Sequence, residues 1–461
     1  MQQIFIYFFE MKHRIHTANT QLFAYFIFLA LLGSVLFQIP RFYVSGKPVP
    51  YVDGLFTTVS ALCVTGLSTV DMSVYTGAGL ALLLFFIEAG GLGLVTFFTI
   101  YLAVPSKKIS MVNRNFIRDF FVEDTEVNPR QIIIRILFTT VVIQAAGAAL
   151  LAAFLYRTGE THSIFYGIFL SVSAFCNAGF APYSDSLHRF YADYGICTIV
   201  CVLVIAGGLG FTVINDIATY VYRRFHHKKR SMLSFHTHVV LFMTVLLIVC
   251  GGVVFFIAEY THAFKSMTFP QKLFSAFFQS VTLRTAGFDT VEQNTFSAPS
   301  TIVSVLLMMT GGSPGSMAGG LKTTTVFLVC CYAFKDQEDK GDLSVFRRDI
   351  PLSVLEKAVG VLVKGFCIFF VSLLLLSFSE HAALHTGIFT LSDLVYEAVS
   401  AFGTVGLSKG VTPLLSVYGK VIIILTMFAG RTGIIAMTMS ASHGGDQKEL
   451  TDYPYGTVIV G

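Results

Sequence analysis

A nine-residue pattern returns four times along the chain. It reads SALCVTGLS at Ser60–Ser68, SAFCNAGFA at Ser173–Ala181, VTLRTAGFD at Val281–Asp289 and SAFGTVGLS at Ser400–Ser408. Each copy carries a glycine followed by Leu or Phe. These are Gly66, Gly179, Gly287 and Gly406, spaced 113, 108 and 119 residues apart. A second signature keeps phase with the first. Gly-rich knots follow around Gly91 (AGGLG), Gly208 (AGGLGF), Gly312 (TGGSPG) and Arg431 (AGRTG), at 25, 29, 25 and 25 residues after the respective glycines. Two motifs in step, four times over, define an internal repeat, and a repeat constrains the architecture before any single segment does.

The surroundings of the repeat place it in a membrane. Of the 461 residues, 54% are apolar and only 13% charged, against roughly 25% charged in soluble domains. Runs such as Leu22–Pro40, Tyr75–Val104, Thr198–Val221 and Lys420–Ser440 are long enough to span, since about 20 residues cross a bilayer. Every unit then shows one order of parts. A spanning helix (22–40, 132–156, 238–260, 355–379) precedes a segment too short to span (51–62, 163–176, 269–283, 391–402), the glycine loop, and a second helix bearing the knot. Apolar runs of about 10–14 residues are better suited to re-entrant segments than to spans. The expectation is an all-α polytopic membrane protein of four tandem helix–pore loop–helix repeats around one central pore, with eight spanning helices and four re-entrant pore helices. The boundaries fall at 1–20 (N-terminus), 21–131, 132–237, 238–354 and 355–442 (repeats 1 to 4), and 443–461 (tail).

Charge sets the orientation. Lys107, Lys108, Arg114, Arg118 and Arg130 follow the first unit, Arg223, Arg224, Lys228, Lys229 and Arg230 the second, and Lys335, Lys340, Arg347 and Arg348 the third, whereas 379–408 carries no Lys or Arg. By the positive-inside rule these connections and both termini face the cytoplasm, in a plasma membrane, and the glycine loops face out. The net charge of +4 is spread between spans, which leaves no nucleic-acid face, and the basic run at 223–230 reads first as an anchor and second as a surface for anionic lipid or a partner. The first apolar run is too long for the core of a cleaved signal peptide and reads as an uncleaved helix. The eight cysteines lie in or beside apolar runs without metal-ligand spacing and read as small buried hydrophobes. The tail from His443 is too short for a domain and reads as a disordered end or a docking peptide.

Non-helical backbone is tolerated at membrane depth only where protein buries it or it lines water. Four quasi-equivalent loops converging on one axis can replace a cation's hydration shell with backbone carbonyls. Glycine suits the task because the chain there needs positive φ and no side chain between backbone and ion. The candidate ion-binding residues are therefore Val64, Thr65 and Gly66; Asn177, Ala178 and Gly179; Thr285, Ala286 and Gly287; and Thr404, Val405 and Gly406. The last triplet keeps the Thr-Val-Gly of potassium filters. Helix packing through small residues would explain one such glycine, but not four in phase.

On these residues the chain resembles the Trk/Ktr/HKT potassium-transport superfamily, from about residue 20 to the end. The strings TLRTAGF at Thr282–Phe288 and TGGSPGSMAGGLKTTT at Thr310–Thr325 carry the likeness, and YPYGTVIVG at Tyr453–Gly461 is similar to the end of KtrB-type membrane subunits. The resemblance implies a potassium-selective pore, potassium as substrate, sodium as a candidate activator, a homodimer with one pore per protomer, and an RCK-type peripheral nucleotide-binding subunit like KtrA. Sodium-admitting members often carry Ser where this chain has Gly66, which favours potassium. The resemblance also implies that Gly311, Gly312, Ser313, Pro314, Gly315, Ser316, Gly319, Gly320 and Lys322 belong to an intramembrane gate, with Arg431 opposite. Proline and five glycines within ten residues cannot remain an ordinary helix, although a kinked packing helix is the plainer account. A charge at Arg431 needs a partner at that depth; Glu88 and the carbonyls of the broken segment are the two candidates. Arg284 is expected to brace its loop rather than touch an ion.

Other classes fit less well. A sodium- or proton-coupled secondary transporter also uses broken helices, but usually in two repeats, often inverted. An enzyme would need a motif such as His-Glu-x-x-His or Gly-x-Ser-x-Gly, and the chain has neither, while the knots lie within apolar spans rather than after a strand.

Overall fold

The computed structural model describes residues 18–92, 129–225, 232–334, 343–346 and 348–433. Most of the basic connections, the N-terminus before residue 18 and the tail lie outside the described residues. Within them the same order of elements recurs four times. Long first helices run Ala18–Leu36, Pro129–Arg157, Phe235–Glu259 and Leu352–Ser379, and short helices Tyr51–Leu62, Ser163–Cys176, Phe269–Thr282 and Leu391–Gly403. Second helices run Gly77–Gly91, Tyr194–Leu209, Ala298–Met309 and Val417–Phe428.

Local chemistry sets these ends. Second helices open on side chains that accept otherwise orphaned backbone N–H groups: Thr76 from Gly79, Asp193 from Gly195 and Ile196, Ser416 from Gly419. In units 3 and 4 a carboxylate at the end of the first helix reinforces the cap. Glu259 Oε1 accepts from the Ser297 backbone N at 2.9 Å and hydroxyl at 2.6 Å, and Glu380 Oε1 from the same groups of Ser416 at 3.1 and 2.6 Å. The short helices cross the first helices at glycines. A Cβ at Gly33, Gly147 or Gly251 would collide with Thr58, Ser171 or Ser280 of the short helix in its own unit. Ser171 and Ser280 donate back across these crossings to the Gln144 and Ile248 carbonyls at 2.7 and 2.8 Å.

Cores form between neighbours, so the units close on one another. Phe169 and Phe180 of unit 2 pack with Leu83 and Phe86 of unit 1. Phe278 and Phe288 of unit 3 pack with Leu203 and Val204 of unit 2. Met308 of unit 3, Phe402 of unit 4 and Phe56 of unit 1 share a third cluster. Lys420 of unit 4 donates to Asp53 of unit 1 at 2.6 Å, completing the circuit with an ion pair. The outer face of the first helices is apolar and exposed, with Phe28, Phe138, Val245 and Phe370 pointing away from the protein; a belt of that kind faces lipid.

Three expectations need correction. Three described helices are long and apolar enough to cross a membrane, and a fourth forms only if the pair Tyr194–Leu209 and Phe211–Phe225, bent by 103°, counts as one span. The run at 198–221 is thus not a straight helix. The knots mark the ends of the second helices: Gly77–Gly91 and Tyr194–Leu209 run into theirs, keeping Gly91 and Gly208 helical, while Ala298–Met309 and Val417–Phe428 stop just before. The fold is not all-α: Leu343–Val345 pairs antiparallel with Arg348–Ile350 in a small hairpin. Its turn residue Phe346 stacks on Phe327 with centroids 6.2 Å apart, beneath unit 3. Lastly, Cys63, Cys176, Cys197 and Cys201 are buried, but Cys250, Cys330 and Cys367 are exposed. An apolar run in such a fold has an outward face as well as an inward one, and hydropathy does not separate the two.

Candidate functional site

The four glycine loops meet. Gly66, Gly179, Gly287 and Gly406 all have positive φ, at 92°, 72°, 80° and 97°. Two residues before each glycine, Val64, Asn177, Thr285 and Thr404 are also left-handed, at 55°, 58°, 68° and 51°. Left-handed backbone is uncommon away from glycine, and strain held at four equivalent positions marks a functional constraint. The glycines form a closed ring. A Cβ on Gly66 would strike the Ala178 carbonyl oxygen, one on Gly179 that of Ala286, one on Gly287 that of Val405, and one on Gly406 that of Thr65. All twelve candidate residues therefore lie in loops that surround one axis in chain order.

Hydroxyls at the ends of the short helices hold this backbone. Ser60 Oγ accepts from Gly66 N and Ser400 Oγ from Gly406 N, both at 3.1 Å. In units 2 and 3 the hydroxyl donates instead to the carbonyl after the glycine, Ser173 to Phe180 at 2.7 Å and Thr282 to Phe288. Ser60, Ser173 and Ser400 each stand six residues before their glycine; Thr282 stands five before. The third copy has Val281 where the others carry serine, so its hydroxyl stands one residue nearer the glycine. Thr65 and Thr404 have buried hydroxyls without a hydrogen-bond partner. Arg284 is 7% exposed and its Nε has no hydrogen-bond partner, so the expected brace is not made through that atom.

The knots form a second layer. Between Met309 and Thr323 the third unit leaves its helix, and the two ends of the excursion meet: Gly311 N donates to Leu321 O at 2.8 Å and Thr323 N to Gly312 O at 3.1 Å. Lys322 Nζ turns back to Ala318 O at 2.7 Å. The tip crosses to unit 2. Ser313 N donates to Gly208 O at 3.0 Å, Met317 N to Gly207 O at 3.2 Å, and Phe211 N to Gly315 O at 3.2 Å. This insertion explains the bend after Leu209. Gly210 sits at φ 86°, and a Cβ there would strike Ser313 Oγ and Pro314 O. Ser316 Oγ ties the tip by donating to Ser313 O at 2.6 Å. The return limb lies against the fourth loop: a Cβ on Gly319 would strike the Thr404 side chain, while Gly320, at φ 64°, lies against Gly403.

Arg431 joins the remaining units. It sits in a π-helical turn, Ala429–Gly433, and donates to Met317 O at the tip and, through Nη2, to Gly90 O of unit 1 at 3.2 Å. Of its two proposed partners the carbonyls are the ones found. Glu88 faces elsewhere, accepting from Gln144 at 3.0 Å and Cys176 at 3.4 Å.

A closed ring of backbone carbonyls beside a non-helical excursion suits a transport protein. The TrkH family, described as a cation transport protein, matches residues 8–453. The chain is 35% identical over 440 residues to the potassium/sodium uptake protein NtpJ of Enterococcus hirae, covering 95% of both. It is 32% identical to the Ktr system potassium uptake protein B of Vibrio alginolyticus, covering 95% of this chain and 93% of that one, and of Bacillus subtilis, covering 95% of both. The solved potassium transporter TrkH from Vibrio parahaemolyticus shares the fold, with a TM-score of 0.70 at 18% identity over 92% of this chain and 85% of that one. The chain belongs to the TrkH family of cation transport proteins. It is a multi-pass membrane transporter, not an enzyme.

Proposed function

We propose that the chain is the potassium-selective pore subunit of a Ktr-like uptake system in the plasma membrane. The observation that carries this reading is the closed ring of Gly66, Gly179, Gly287 and Gly406, each held at positive φ against the carbonyl before the next glycine. Such a ring offers carbonyl oxygens from four sides, and no side chain intervenes. The names of the relatives in Enterococcus hirae, Vibrio alginolyticus and Bacillus subtilis support potassium as the cargo. The four units act as tandem pore repeats, their short helices as re-entrant pore helices whose C-terminal ends favour a cation.

Under the ring, the excursion Gly311–Lys322 and Arg431 act as the gate. The plug is tied to unit 2 by backbone hydrogen bonds and to Arg431 of unit 4, which also holds Gly90 of unit 1; these bonds part without leaving a charge stranded except at Arg431. A peripheral nucleotide-binding subunit on the cytoplasmic side controls it, and the functional unit is a homodimer. The test is potassium and sodium flux from purified protein in liposomes, with and without an imposed membrane potential. Potassium flux that follows the potential without a counter-ion supports the pore reading. Flux that needs a sodium or proton gradient supports coupled transport instead.

A further inference from the structure

The third loop is held from outside by its neighbour in a way the other three are not. Between the second loop and the second helix of unit 2, the stretch from Tyr183 to Phe190 crosses to Asp289, two residues beyond Gly287. Leu187 N donates to the Asp289 carbonyl at 3.0 Å, and Asp289 N donates to Ser186 Oγ at 3.3 Å. His188 Nε2 stands 3.2 Å from Asp289 Oδ2, close enough for an ion pair though off line for a hydrogen bond, with both side chains about three-quarters covered. The stretch itself is stiff. Ser186 is left-handed at φ 50°, Arg189 binds Asp185 at 2.7 Å and lies 4.4 Å over the Tyr183 ring, and Leu187 is buried. The residues equivalent to Asp289 make no such contact across units: Ser68 and Ser408 bond within their own. The loop so clamped is also the one with Val281 in the serine position, and its Gly287 N–H reaches the Thr282 carbonyl at 3.3 Å.

We propose that His188 is a positioning residue for the third filter loop: protonated, it clamps Asp289 and steadies the Gly287 side of the ring, and deprotonated it releases that side chain, so that potassium affinity follows pH at the outer mouth. This rests on the filter reading above. The groups facing His188 are Asp289 and Glu292 from unit 3, and Asp185 and Arg189 from its own stretch. The Asp289 carboxylate raises the His188 pKa, outweighing the burial that opposes it; Glu292 and Asp185 add to the rise. Because the folded value is raised, the ion pair is present below the ordinary histidine value of about 6.5 and is lost as pH climbs through the raised one. The two backbone contacts survive deprotonation, so the loop loosens rather than opens.

The test is the half-saturating potassium concentration for uptake into liposomes holding the full chain, with the same pH on both sides, from acid to mildly alkaline. For the unaltered protein it should rise by about two- to five-fold across the His188 titration, the range of a partly exposed ion pair, with the maximal rate unchanged. His188→Gln should hold the high-pH value throughout, and Asp289→Asn should do the same if the first variant folds poorly. A purely structural histidine would instead lower yield or maximal rate equally at every pH. If both variants keep the pH profile of the unaltered protein, the inference is overturned. Gly66→Ser, measured alongside at one pH, reports on the filter itself: no change in its sodium-to-potassium ratio would overturn the filter reading, and this inference with it, by a separate route.

Discussion

The ring of glycines and the layer of knots beneath it are built from the same four units and obey opposite rules. In the ring the units are near copies. The same two positions are left-handed in every loop, and each glycine meets the carbonyl before the next. In the knot layer no two units agree. Unit 1 offers helix-end carbonyls, unit 2 bends by 103°, unit 3 leaves its helix altogether, and unit 4 supplies an arginine from a π-helical turn. A site for a spherical ion gains from equal contributions on all sides. The proposed gate would have to move without dismantling the pore, and the attachments of the excursion are few, unequal and mostly hydrogen bonds to backbone. The same repeat supplies both layers, and only the ring is symmetric.

The largest expected effect comes from breaking the ring's symmetry. Gly66→Ser places a side chain against the Ala178 carbonyl at φ 92°. Discrimination for potassium over sodium should fall by about tenfold or more, since strain of this kind costs about 1–3 kcal/mol. Relative uptake of the two ions in a potassium-uptake-deficient host is the measurement. Gly406→Ser should behave alike, because the ring makes the two positions equivalent; a variant pair differing widely would show that the likeness is only geometric.

The next effect comes from removing the asymmetry below. Because Gly311 and Leu321 already meet, residues 312–320 can be deleted with little rearrangement of the ends. Flux per folded protein should rise severalfold in the absence of any regulatory partner, while selectivity stays put. Arg431→Ala should also raise flux, and Arg431→Lys should rescue closure only in part, since an ammonium cannot reach Met317 and Gly90 with a planar fork. A well-folded deletion that conducts no faster would refute the plug.

A smaller effect falls on the circuit rather than on either layer. Lys420→Met leaves Asp53 without its partner where both side chains are over four-fifths covered. The loss should be about 2 kcal/mol, between the limits for surface and buried pairs, and read as a lower thermal midpoint in detergent. Adding Asp53→Asn should recover part of it. Smallest of all, blocking Cys250 and Cys367 with an apolar maleimide should leave transport unchanged, because these exposed cysteines face outward and touch neither layer. Single cysteines placed in 223–237 should resist an impermeant reagent applied to intact cells; labelling there would reverse the orientation of both layers.

The sequence by itself determined the number of loops, the glycine at the centre of each and the short helix before it. All four short helices begin where the reading placed them, and they end within a residue of it. The reason is that these are local demands. A left-handed backbone flush against a neighbour admits only glycine, so the requirement is written in the residue type. Tertiary structure alone decided how the second layer joins. Arg431 binds the carbonyls of Met317 and Gly90 rather than the carboxylate of Glu88, and every residue has a carbonyl, so nothing in the sequence marks the ones chosen. The bend at Gly210 arises because unit 3 inserts there, a cause about a hundred residues away in the chain. The clamp of His188 on Asp289 joins two loops of different units in the same manner. Backbone conformation leaves its signature where it occurs; a contact between units depends on which surfaces the fold brings together.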